Sequence, residues 1–377
     1  MPAFRFLHTS DLHLGKRFGT FEEEIRADLQ QARLGIVATL ARTAADHGAG
    51  HVLIAGDSFD TETPSQRLIR QTLATMGETS ALHWWIIPGN HDSLGAELIW
   101  TVMQAHAPDN VHLLTDPAPT QIAPGVTLLP APCPRRFPGT DLTAWMDGCE
   151  TPQEHLRIGL AHGGVIDFGS DEPGGDIISP RRAETARLDY LALGDWHGIF
   201  TFDERTRYSG TPERDRFKHA GRGGCLLVDL PGPGAPPLVT EVETGKYNWQ
   251  ERTLRLTPGD DAAEALIRLL PHDRTDWRHT LLKITAEGWC HLPERLRLSR
   301  AAAEIAPEFC HFDLNDGPLQ TEYSADDLDD IAQGGALRMA AETLRNDAEN
   351  TDLARRDRDV SAAALNRLYG LVQEAAE

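Results

Sequence analysis

Short apolar runs alternate with longer amphipathic ones through the first half of the chain, and most of the apolar runs break off at a polar cluster flanked by glycine or serine. Residues 4–8 read as a strand. Residues 22–47, with Ile25, Leu29, Leu34, Ile36, Val37 and Leu40 on one broad face, read as a helix, and "HVLIAGD" (51–57) as a buried strand. A helix over 65–76, the strand "HWWIIPG" (83–89) and a shorter helix over 96–105 follow, which is the β-α-β-α-β order of an α/β domain. Further strands are expected at 126–130, 156–161, 190–193 and 225–230, and the breaker "LPGPGAPP" (230–237) precedes one more, "LVTEVET".

A chain of 377 residues exceeds one ordinary core. The sequence texture divides it into a large domain over 1–245, a small α+β module over 246–322 and a helical, acidic, alanine-rich tail over 323–377. The tail reads as a helix closing over its own domain, with partner binding as the alternative. Thirty-six basic against 57 acidic residues give a formal charge of −21, which excludes bulk attraction to nucleic acid or anionic lipid. Any phosphate-bearing substrate must be held locally. The five cysteines form no C-x-x-C pair and are odd in number, so neither a disulfide framework nor a thiolate zinc site is expected. Residues 1–14 show no export signal, and no apolar run reaches membrane-spanning length. A cytoplasmic protein with no membrane partner is the expectation.

Five polar clusters stand at the ends of expected strands, where ligands bind in open α/β sheets. They are "SDLHLG" (Asp11, His13), "AGDSFD" (Asp57, Asp60), "PGNHDS" (Asn90, His91, Asp92), "LAHGG" (His162) and "LALGDWHGIF" (Asp195, His197). Singly, each reads as a surface turn or a hydrogen-bonded structural group. Their recurrence in one order points instead to one shared crevice. In an extended segment, Asp195 and His197 would project to the same side. Carboxylates, imidazoles and an amide together suit two borderline or hard divalent cations with Asp57 as the bridge, and paired ions of this kind serve phosphoryl transfer.

These blocks, D-x-H, G-D-x-x-D, G-N-H-D, a later histidine before glycine and a final G-x-x-H, resemble the calcineurin-like metallophosphoesterases over residues 3–230. More narrowly, "LHTSDLHLGKRF", "GDSFDTETPS" and "YSGTPE" (208–213) are similar to the SbcD-type DNA repair exonucleases, whose capping domain the module after 245 resembles. The resemblance implies a four-layer α/β/β/α sandwich with a small α+β capping module and C-terminal helices. It implies a first metal held by Asp11, His13, Asp57 and His197 and a second held by Asp57, Asn90, His162 and Asp195. His91 would be the catalytic histidine, assisting the leaving oxygen, with Asp92 as its orienting partner. Two Mn2+ ions, with Mg2+ as the alternative, would supply a metal-bound hydroxide that hydrolyses DNA phosphodiester bonds. DNA, an SMC-like coiled-coil ATPase subunit and a second copy of the chain are the partners implied.

The family writes the last block G-H-x-H, where this chain has Asp195. An aspartate there leaves an excess of roughly one positive charge over the two ions instead of two, which weakens the second ion as a Lewis acid and favours manganese or magnesium. Asp60 reads as a loop-capping carboxylate and His8 as a packing residue. Lys16 with Arg17, and Arg135 with Arg136, are candidates for a nucleic-acid backbone, while Trp84 and Trp85 read as core. Two other functions stay open: a phosphodiesterase or phosphatase of small phosphate esters, and a weakly catalytic scaffold.

Overall fold

The computed structural model describes residues 3–165 and 177–376, and the chain divides into two compact units, Met1–Asn248 and Trp249–Glu377. The first unit contains, in order, β1 (Phe4–Thr9), α1 (Glu23–Asp46), β2 (His51–Ile54), α2 (Gln66–Gly77), β3 (His83–Ile86), α3 (Glu97–His106), β4 (Val111–Leu113), β5 (Thr120–Ala123) and β6 (Val126–Ala131). It continues with β7 (Leu156–His162), α4 (Arg182–Thr185), β8 (Tyr190–Gly194), β9 (Phe200–Thr201), β10 (Thr206–Tyr208), β11 (Gly224–Leu230) and β12 (Leu238–Glu243).

Two six-stranded sheets result, ordered β12-β11-β1-β2-β3-β4 and β5-β6-β7-β8-β10-β9. Strands β1 to β4 run parallel, as do β6, β7, β8 and β10, so in each sheet a row of carboxyl ends points the same way. Side-chain alternation assigns the faces. Phe6, Leu53, Trp85 and Ile87 of the first sheet meet Leu128, Ile158, Leu160 and Tyr190 of the second in an interior between the sheets. Leu7, Val52, Ile54, Trp84 and Ile86 point the other way, into the helices. The adjacent tryptophans are therefore both core residues, on opposite faces of the sheet, where the sequence reading is firm only for the inward-facing one.

Helix α1 supplies Ile36, Val37 and Leu40 to that outer core, spaced as one helical face requires. Helix α2 starts where the Ser65 hydroxyl accepts the Leu68 amide at 3.2 Å, and buries Ile69, Leu73 and Met76. Each such aliphatic side chain contributes about 1.5–3 kcal/mol on burial. The far face of the second sheet packs Leu129, Ala161, Leu191 and Leu193 against Met146, Ala183 and Leu188. These are the layers of an α/β/β/α sandwich.

The second unit contains most of β13 (Asn248–Leu256), α5 (Ala262–Leu269), β14 (Thr280–His291), α6 (Leu292–Ile305), β15 (His311–Asn315), β16 (Leu319–Glu322), α7 (Ala325–Ile331), α8 (Gly335–Glu349) and α9 (Arg355–Ala376). Its long strand β14 pairs with β15 near one end and β16 near the other, and α5 and α6 cover the sheet. Leu292 of α6 shares a core with Leu328, Ile331, Ala341, Leu365 and Tyr369. The helices after residue 323 thus belong to the same compact unit as the α+β module. Among the described residues no helix is long and apolar enough to cross a membrane, and all five cysteines are free.

Candidate metal centre

The carboxyl ends of β1, β2 and β3 lead into Asp11 and His13, Asp57, and Asn90 with His91; those of β7 and β8 lead into His162, and Asp195 with His197. The two sheets therefore supply the five clusters to one place. Four of these residues hold left-handed backbone, with φ of 54° at Asp11, 43° at His13, 54° at Asp57 and 94° at Asp195. Such conformations cost of order 1–3 kcal/mol each and persist only where surrounding contacts over-determine them. Here the contacts are backbone hydrogen bonds, Asp11 N to Gly56 O at 3.1 Å and His13 N to Asp57 O at 3.0 Å, and glycines that let the loops touch. A Cβ at Gly89 would overlap the Asp57 carboxylate, and one at Gly194 would overlap the Ala55 carbonyl.

The donor atoms converge in two groups. In the first, His13 Nε2 lies 3.2 Å from His197 Nε2, 3.9 Å from Asp11 Oδ1 and 3.7 Å from Asp57 Oδ2. His197 Nε2 is 3.8 Å from Asp11 Oδ1. In the second, His162 Nε2 lies 3.5 Å from the same Asp57 Oδ2 and 3.8 Å from Asp195 Oδ1, which in turn is 3.4 Å from Asn90 Nδ2. Donors about 2.0–2.2 Å from one ion stand roughly 3.0 Å apart at right angles and 3.5 Å apart at the tetrahedral angle. The shortest separations approach these values, and the donors that all lie within 4.8 Å of one another include Asp11 with His13 and His197, and Asp11 and Asp57 with His162. Asp11 Oδ1, Asn90 Oδ1 and His162 Nε2 are buried without a hydrogen-bond partner, a state that costs about 1–3 kcal/mol per group unless a ligand satisfies it. The residues fit the two divalent cations that the donor set calls for.

Electrostatics agrees. Burial raises the Asp57 carboxyl well above the usual carboxylate range, and Asp92 and Asp11 add to the rise. Burial works the same way on Asp11, but His197, His162 and His13 face it and bring it below that range. Although burial opposes it, Asp57, Asp11 and Asp195 raise His162 to about 9. An imidazole buried among three acidic side chains is a setting that a divalent ion would favour.

A layer of supporting groups fixes the histidines, and the sequence reading missed most of it. His197 Nδ1 donates to Asp215 Oδ1 at 3.2 Å. Asp215 is held far below the usual carboxylate range despite its burial, by that bond and by the nearby cations of Arg33 and Lys16. Lys16 Nζ bridges Asp215 Oδ2 at 3.0 Å and Asp60 Oδ1 at 3.4 Å, and Asp60 Oδ1 stands 3.4 Å from His13 Nδ1. The backs of both histidines of the first group thus face carboxylates joined by one ammonium. Ser10 Oγ donates to Asp11 Oδ2 at 2.5 Å, and buried Arg33 donates to the carbonyls of Leu12 and Glu213, tying α1 to the loops on both sides.

Lys16 is engaged by Asp215 and Asp60. Two expectations are corrected by the contacts of the site. Asp92 does not orient His91. Its carboxylate accepts the amides of Ser58 at 2.7 Å, Phe59 at 3.2 Å and Gly89 at 2.7 Å, bracing two loops, while the His91 ring donates from Nδ1 to the Asp60 carbonyl at 2.8 Å. Asp195 and His197 do not project together from an extended segment. Strand β8 stops at Gly194, the chain turns at Asp195, and the two side chains enter different donor groups. His8 packs as expected, donating from Nε2 to the Leu193 carbonyl at 3.2 Å and accepting the Tyr190 hydroxyl at 3.0 Å. Arg135 and Arg136 are exposed.

The calcineurin-like phosphoesterase family profile matches residues 4–198, just over half of the chain. The D subunit of the nuclease SbcCD of Escherichia coli K12 is 31% identical over 258 residues, covering 58% of this chain and 62% of that protein. Its namesake from Rhodobacter capsulatus is 28% identical over 281 residues, or 62% of this chain and 68% of that protein. The chain thus spans less than two thirds of the length of the E. coli relative. Among solved structures, a dimetal phosphatase from Danio rerio aligns with a TM-score of 0.39 at 12% identity, covering 64% of this chain and 99% of that one. TT1561 of Thermus thermophilus aligns with a TM-score of 0.40 at 14% identity, over 63% and 99%. With the sandwich, the donor groups and the matched profile agreeing, this chain is a member of the calcineurin-like phosphoesterase family.

Proposed function

We propose that the protein is a phosphodiesterase that cleaves DNA with two divalent ions, manganese or magnesium, and that it works with an ATPase subunit as the second component of a nuclease complex. The observation that carries the reading is the pair of donor groups sharing Asp57 with His91 beside them. The nuclease names of the relatives support the choice of DNA. When bound, two adjacent divalent ions stabilise charge on phosphoryl oxygens and lower the pKa of a coordinated water.

The chain's own residues do the rest. Asp11, His13, Asp57 and His197 would hold one ion, and Asp57, Asn90, His162 and Asp195 the other. His91 donates from Nδ1 to the Asp60 carbonyl, so the ring orientation is fixed and Nε2 is left to face the departing ester oxygen. Its backbone amide also donates to Asp57 Oδ1 at 2.8 Å, so the histidine and the bridging carboxylate move as one piece. His91→Gln should lower kcat by about 100- to 10,000-fold while leaving the bound metal unchanged, a pattern that rate measurements and metal analysis on one preparation would establish.

The formal charge of −21 favours a second reading, a small phosphate ester as substrate. Cleavage of linear duplex and single-stranded DNA with Mn2+, alone and with the ATPase subunit, separates the two. Turnover of nucleotides beside inertness toward DNA would replace the first reading by the second.

A further inference from the structure

We propose that a recess beside the second donor group receives one unpaired nucleobase of the substrate strand, stacked on Phe137, with Arg136 paired to a neighbouring phosphate. The inference rests on the DNA reading above and specifies the form of DNA that the site accepts.

The loop after β6 carries two unusual side chains. Phe137 is 73% exposed, although an aromatic ring of that size contributes most when buried. Arg136 sits with its guanidinium 5.8 Å from the centre of that ring, a cation over an aromatic face. The loop is held where it stands: the Cys133 amide donates to the Pro88 carbonyl at 3.2 Å and the Leu94 amide to the Cys133 carbonyl at 3.0 Å, which ties it to the segment that carries Asn90 and His91.

Arg136 lines two hollows. One, of about 130 Å3, has Asn90, His162 and Asp195 on its polar wall and Phe137, Leu142 and Ile178 on its apolar wall. The other, of about 400 Å3, is polar and contains His91, Asp60 and Glu62. A phosphodiester has two arms, and the two hollows, which share Arg136, offer a place for each. The His91 side suits the departing oxygen. The smaller hollow, about 130 Å3, is comparable in size to a single nucleobase, which a strand can place there only where it is unpaired. Its mixture of an aromatic face with a cation is the combination by which proteins stack single-stranded bases without reading sequence. In a chain this acidic, such a local contact is also how a phosphate strand is gripped at all.

The test measures anisotropy of labelled phosphorothioate oligothymidylate and of an abasic strand of the same length, bound to the full chain with Mn2+. Wild type should prefer the base-bearing strand by about 5- to 100-fold, and Phe137→Ala should erase that preference. Arg136→Gln should weaken both strands alike and reduce the slope of log K against log salt by about one phosphate contact. Mn2+ titration of both variants, matching wild type, shows that the donor groups remain intact. Equal binding of the two strands by wild type, or an undiminished preference in Phe137→Ala, overturns the inference while leaving the nuclease reading in place. Binding of neither strand, with no cleavage of DNA, removes both together.

Discussion

Asp195 stands where the resemblance leads one to expect a histidine. The carboxylate faces His162 and Asn90 from a turn that the backbone adopts with φ of 94°. Asp195→His exchanges an anion for a neutral donor, so activity with Mn2+ should be preserved or raised; complete loss would mean that the aspartate serves something other than coordination. Asp215 acts at one remove. Asp215→Asn removes the charge behind His197 and should weaken the first ion by about 10- to 100-fold, read by calorimetric Mn2+ titration. The same titration should find Lys16→Met weakened and Lys16→Arg close to wild type, since arginine keeps the cation between the two carboxylates. The five converging blocks were legible because each is a short stretch with its own glycine. Asp215 and Arg33 carry no such mark, and their roles exist only because the fold brings distant segments together. Asp92 was misassigned for a related reason. Neighbours in sequence need not face each other, and its carboxylate turns away to three amides.

At the scale of elements, the long amphipathic helices and the buried strands were readable from periodicity, to within a few residues at their ends. The short strands were not. Strands β4, β9 and β10 have three residues or fewer and exist because a partner strand offers hydrogen bonds, which no local pattern announces. The same holds for the exit from β8. A glycine there looked like a simple stop, yet Gly194 is the point where the Ala55 carbonyl and the Ser10 side chain close in. Gly194→Ala should destabilise the protein by about 1–3 kcal/mol through overpacking and release metal as well, seen as a lowered denaturation midpoint together with reduced Mn2+ content.

For the whole molecule, the buried imidazoles set a limit on acid tolerance. Burial lowers His8 to about 3, against the pull of the Leu193 carbonyl and Asp11, and burial beside His83 and His112 lowers His51 to about 4. An unfolded chain titrates its histidines near 6.5, so below that pH the unfolded state binds more protons than the folded one. The stability these groups contribute is complete above about pH 6.5 and drains away as pH falls toward 3. Denaturant midpoints in chelator should fall across that window, and His8→Gln should flatten the decline. The last helices dock through Leu292 and Tyr369, residues far apart in sequence.

One sheet leads into Asp11, His13, Asp57 and Asn90, the other into His162, Asp195 and His197, and the gap between the two slabs is set by their hydrocarbon filling together with hydrogen bonds such as those of His8 to Tyr190 and Leu193. The ions therefore gauge that gap like the jaws of a caliper. Shaving a methyl from the filling at Ile158, beyond reach of any ligand, would loosen the jaws, so the grip on manganese becomes a readout of how well two distant layers are mated.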